Sequence, residues 1–103
     1  MKVFISQPMN GKTDERIKAE RDYITDKISA YFRWHDPMNS VEVIDSFVEE
    51  AQHDANPLWY LGKSLELLST ADVAVFAKGW RSARGCRIEH EACENYGIEI
   101  MEL

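Results

Sequence analysis

Residues 2–6, 41–45 and 73–77 are apolar runs short and β-branched enough to read as buried strands, and a fourth run occupies 98–103. Between them lie stretches of helical periodicity, one of them closed by Gly97. Strands alternating with helices predict an α/β fold: a three-layer domain built on a four-stranded parallel sheet with helices on both faces. The first and third runs are continuously apolar rather than alternating, which places them at the centre of the sheet. The predicted order is 2-1-3-4. A chain of 103 residues with 45% apolar composition supports one such domain, spanning 1–103, and argues against disorder.

The elements follow in order. Lys-Val-Phe-Ile-Ser (2–6) is the first strand, and the Gln-Pro-Met-Asn-Gly segment after it is loop. Thr13 can cap the next helix, with Asp14 and Glu15 in the first turn where the macrodipole favours acids. Ile17, Ile24, Ile28, Tyr31 and Phe32 fall on one stripe while Lys18, Glu20, Asp22 and Lys27 face away, so this helix covers one sheet face and stops before Pro37. The second strand, 41–45, ends at Asp45. Residues 46–56 form a connection long enough to be a lid, with a helical turn expected over 47–51. Asn56 followed by Pro57 is an N-cap and first helical residue, and Leu58, Leu61, Leu65 and Leu68 carry that helix to Thr70. After the strand at 72–77, a Gly-rich loop leads into a helix ending at Gly97. The last strand reads as an edge, because its alternation leaves Glu99 and Glu102 accessible.

Charge and composition narrow the function. A net charge of −6 disfavours binding to a nucleic-acid polymer, which needs a basic surface to displace counterions. A small phosphorylated ligand needs only a local basic pocket. No apolar run is long enough for a membrane span and no signal peptide is visible, so the chain reads as cytoplasmic. Cys86 and Cys93 would sit about 10 Å apart on one helix, too far for a disulfide, and they lack metal-ligand spacing. No metal or cofactor is expected.

In parallel α/β sheets, ligands bind beyond the carboxyl ends of the strands where the strand order reverses. That rule brings residues 6–11, Asp45 with its lid, and 78–89 onto one rim. Glu89 falls in the early turns of its helix, where the dipole would lower its pKa and an ionised carboxylate could act as a nucleophile. Pairing with Arg84 or Arg87 on a solvated face is the plainer reading. Gly11 permits positive φ and close approach of a ligand, or closes an ordinary Asn-Gly turn. Arg81, Arg84 and Arg87 with Ser82 suit a phosphate at a helix start, against the alternative of ion pairing with the chain's acids. Trp80 in the Gly-rich loop is a candidate for stacking a base; Trp59 and Tyr60 read rather as core.

Three segments carry a resemblance: Phe-Ile-Ser-Gln-Pro-Met-Asn-Gly ending at Gly11, Ala-Asp-Val-Ala-Val ending at Val75, and Gly-Cys-Arg-Ile-Glu ending at Glu89 and followed by Ala92. In order and spacing they resemble the nucleoside 2-deoxyribosyltransferase superfamily, in particular its small phage and bacterial branch, with 2'-deoxynucleoside 5'-phosphate N-hydrolase a relative. The resemblance implies a Rossmann-like or flavodoxin-like sheet and an enzyme that transfers deoxyribose between bases or hydrolyses an N-glycosidic bond. It makes Glu89 the nucleophile that forms a covalent ribosyl-enzyme. The first loop (Ser6, Gln7, Pro8, Met9, Asn10, Gly11) and the second (Gly79, Trp80, Ser82, Arg84, Gly85) become the substrate-binding candidates. An aspartate that relatives carry before the third strand falls here on Ser64, whose hydroxyl can hydrogen-bond a sugar but is a poor general acid. Asp45, Asp54 and His90 are the candidates to replace it. The resemblance also implies a nucleoside or nucleotide as ligand and a homo-oligomer, since relatives complete their sites with a neighbouring subunit. A noncatalytic nucleotide-binding domain on the same fold is the alternative.

Overall fold

A computed structural model describes residues 1–46 and 56–103. The elements run β1 (Lys2–Ser6), α1 (Asp14–His35), β2 (Glu42–Val43), α2 (Pro57–Leu68), β3 (Val73–Phe76), a short 3-10 turn (Trp80–Ser82), α3 (Arg84–Tyr96) and β4 (Glu99–Glu102). The strands form one parallel sheet in the order β2-β1-β3-β4, as the apolar runs predict. The lid and helical turn expected within 46–56, together with Asp54, lie outside the described residues apart from the flanking Ser46 and Asn56.

Side-chain alternation along the central strands divides the core. Val3, Ile5, Val73 and Val75 face one way and pack with Ile24 and Ile28 of α1. Phe4, Ala74 and Phe76 face the other way and pack with Leu68 of α2 and Cys93 of α3. The three layers follow from this division. Burying an aliphatic or aromatic side chain stabilises by about 1.5–3 kcal/mol, so these two clusters hold the rim above them in place.

The caps are where the sequence puts them. Thr13 accepts from the Arg16 amide at 3.1 Å, and Asn56 accepts from the Trp59 amide at 2.9 Å. Gly97 ends α3 with φ 76, a left-handed conformation that favours glycine. Three details differ from expectation. Tyr31 is exposed, because a long helix over a narrow sheet buries only the centre of its stripe. α2 stops at Leu68, and Ser69 and Thr70 close it by donating to the carbonyls of Glu66 and Leu67. The second strand pairs only over Glu42–Val43, with the Ile44 amide donating to the Val3 carbonyl before the chain departs.

Candidate active site

A cleft of about 1010 Å³ opens beyond the carboxyl ends of β1 and β3, at the point where the strand order reverses. Its walls come from the loop after β1, the first half of α2 and the first two turns of α3. Ser6, Gln7, Met9, Asn10, Ser64, Ser82, Arg84, Gly85 and Glu89 all line it. Separations of tens of residues in sequence are closed by the parallel sheet.

Glu89 lies at the bottom. Its side chain is buried at 7% exposure, and the Ser6 hydroxyl donates to its Oε1 at 2.6 Å. Burial pushes its carboxyl up from 4.5 to about 6, while hydrogen bonds from Ser6 and Ser64 pull in the opposite direction. The expectation of a lowered pKa is therefore corrected: Glu89 is the sixth residue of α3, beyond the first turn where the dipole acts, and desolvation wins. No ion pair of Glu89 with Arg84 or Arg87 forms among the described residues, so the solvated-face reading is not what the fold adopts. Among the described residues that line the cleft, Glu89 is the one carboxylate.

Ser6 and Gln7 serve the site indirectly. Ser6 spends its proton on Glu89. Gln7 donates from Nε2 to the Ile17 carbonyl and accepts at Oε1 from Arg21, both at 3.2 Å, so its amide is occupied by protein groups. Arg21 was hidden in sequence among the polar residues of α1. It is buried, and its guanidinium also donates to the Ile44 carbonyl and the Ser46 hydroxyl at 2.8 Å each. Burial pushes its pKa down, with Asp45 and Asp22 attracting in the other direction. One side chain thus ties α1 to the ends of β1 and β2, and Ser46 joins the cleft wall.

Other candidates lie elsewhere. Asp45 is exposed and does not line the cleft, whereas the buried Ser46 after it does. Pro8 and Gly11 are set back from the lining; Gly11 has φ 79 in an exposed turn. Gly79 has φ 87, and a Cβ there would lie 3.9 Å from the Pro8 ring, so these two residues shape the loops rather than the cavity. Trp80 turns away from the cleft to stack on His90 with 4.0 Å between centroids and 6° between planes, and its Nε1 donates to Glu102 at 3.1 Å. Base stacking by Trp80 is corrected accordingly, and His90 is removed from the cleft as an acid. Trp59 is also outside the lining, whereas Tyr60 belongs to it.

The arginines divide. Arg81 pairs with Glu102 at 3.5 Å and lies over the Trp80 ring, whereas Arg84 and Arg87 reach the cleft beside Ser82. The α3 N-terminus has no side-chain cap and no acid in its first turn, leaving amide hydrogens directed at that end of the cavity. Cys86, three residues before Glu89 and on the same helix face, also lines the cleft, with its thiol pushed up chiefly by burial. Cys86 and Cys93 are free thiols. Among the described residues no group of three or more His, Cys, Asp or Glu side chains could hold a metal ion. Among the described residues no helix is long and apolar enough to cross a membrane.

No protein-family model, curated protein or solved structure matches the chain. What the cleft does has to follow from its own chemistry.

Proposed function

We propose that the chain is an N-ribosyl enzyme acting on a nucleoside or nucleotide, of the kind its motifs resemble, with Glu89 as nucleophile. The observation that carries this reading is a buried carboxylate at the bottom of an open cleft, held by two hydroxyls and by no cation among the described residues. A carboxyl at about 6 is largely ionised at neutral pH yet poorly solvated, which is the state a nucleophile requires. The oxygen of Glu89 not engaged by Ser6 attacks the anomeric carbon; the C–N bond breaks and the base leaves with its electron pair, taking a proton from solvent. Water or a second base then attacks the same carbon, frees Glu89 and loses a proton. Ser6 steadies the carboxylate as charge moves off it, and Ser64 offers a hydroxyl to the sugar or to Glu89. Arg84, Arg87 and Ser82 at the open end of α3 favour an anionic substituent, which supports a nucleoside monophosphate as substrate.

A second reading has its own support. Glu89 is the single carboxylate among the described lining residues, and Ser64 stands where the superfamily its motifs resemble carries an aspartate. A nucleotide-binding domain without turnover would have this composition. Incubation with ribo- and deoxyribonucleosides and their 5'-monophosphates, with and without an acceptor base, separates the two. Release or exchange of base supports the enzyme; thermal stabilisation without release supports the binder.

A further inference from the structure

On the face of α3 away from the cleft, His90 is caught between two carboxylates. Its Nδ1 lies 3.2 Å from Glu94 Oε1 on the same helix, and its Nε2 lies 3.6 Å from Glu102 Oε2 on β4. The ring is stacked on Trp80 and meets the edge of Phe76 at 4.7 Å. Among the described residues, Nε2 of His90 is the buried side-chain polar atom without a hydrogen-bond partner. A neutral imidazole carries one N–H and one lone pair, so in either tautomer one ring nitrogen presents its lone pair to a carboxylate. Only the imidazolium can donate to both.

Glu102 is already in use. Its Oε1 accepts from Trp80 Nε1 at 3.1 Å and lies 3.5 Å from Arg81, while Arg87 donates to the Arg81 carbonyl at 3.0 Å. The charged groups facing His90 are therefore Glu94 from α3 and Glu102 from β4, with Arg81 of the 3-10 turn bound to the same Glu102; Glu89 faces the cleft on the opposite side. Arg87 connects this cluster to the cleft wall.

We propose that His90, Glu102 and Trp80 form a proton-operated latch that fastens the 3-10 turn and the start of α3 to β4. Neutral His90 can donate to only one of the two carboxylates, so its Nε2 holds Glu102 only at the expense of Nδ1 and Glu94. The imidazolium closes both contacts, because a charge-assisted hydrogen bond shortens to about 2.7–2.9 Å, and it adds a cation against the Trp80 ring. Closure stiffens the segment that carries Ser82, Arg84 and Arg87 into the cleft. The latch does not depend on the glycosidic chemistry proposed above.

Trp80 emission tests it in a protein carrying Trp34→Phe and Trp59→Phe, which leaves one tryptophan of three. On acidification, emission is expected to fall as the stacked ring gains its proton, in step with the His90 ring resonances in NMR. Amide protection over 79–85, measured against the intrinsic exchange rate at each pH, is expected to rise in parallel. His90→Phe keeps the stack and loses both responses. Glu102→Gln preserves an acceptor for Trp80, loses the rise in protection, and remains informative where His90→Phe does not fold. Constant emission while the His90 ring titrates, an emission or protection response that survives in His90→Phe, or protection that still rises in Glu102→Gln would overturn the proposal.

Discussion

Glu89 sits where a residue selected for stability would not. Its carboxyl rises from 4.5 to about 6 on folding, so the folded protein prefers the protonated form: that preference contributes fully below 4.5 and is lost as pH climbs through about 6. The shift corresponds to about 2 kcal/mol. Glu89→Gln, neutral at every pH, is therefore expected to raise stability by roughly that amount at pH 7 and by little at pH 4, as urea unfolding at the two pH values would record. A loss of stability at pH 7 would indicate that Glu89 is held for structure. Ser64 offers a complementary substitution. It is half-buried, lines the cleft and touches Glu89, so a carboxylate placed there reaches the sugar rather than the core. If proton transfer limits turnover, Ser64→Asp raises it by about 10²- to 10⁴-fold, the usual contribution of general acid or base assistance. A second carboxylate also pushes Glu89 further up, so the acid limb of the pH profile moves to higher pH in the same variant.

Among the elements, β1, β3 and α2 were legible because each is written in a local signal: a continuous apolar run, or Asn56-Pro57 ahead of a leucine stripe. The loops on either side of the cleft were not, because their side chains choose partners far away in sequence. Trp80 looked free for a ligand until β4 brought Glu102 beneath it and α3 brought His90 against it. Arg21 carries no local mark that sets it apart from the charges around it on α1, and its burial comes from the ends of β1 and β2 closing over it. The arginines divide on the same ground. Arg84→Ala is expected to weaken binding of a nucleoside monophosphate by about ten- to a hundredfold, one charge-assisted hydrogen bond, with little effect on the parent nucleoside. Arg81→Ala, paired with Glu102, should weaken both equally or neither. Calorimetric titration of the two ligands into the two variants distinguishes these outcomes.

At the scale of the whole molecule, the strand order 2-1-3-4 converts a sequence pattern into a functional address. The first strand is central, so its carboxyl end at Ser6 stands beside that of β3, and the helix after β3 returns Glu89 to within 2.6 Å of Ser6. The topology and the rim it creates could be read from apolar runs and Gly97, whereas the protonation chemistry of Glu89 could not, because desolvation belongs to the assembled core. If Glu89 is the nucleophile, kcat/KM is expected to fall about tenfold per pH unit below about 6 as Glu89 is protonated. The most direct measurement is a rapid acid quench of the protein turning over the best substrate of the nucleoside and monophosphate panel, followed by mass analysis of the peptide that contains Glu89. The account predicts a gain equal to one pentosyl or phosphopentosyl unit on Glu89, absent from Glu89→Gln, which also loses turnover by on the order of 10³-fold or more while remaining folded. A sugar adduct on another residue, or base release that continues unchanged in Glu89→Gln, would contradict it.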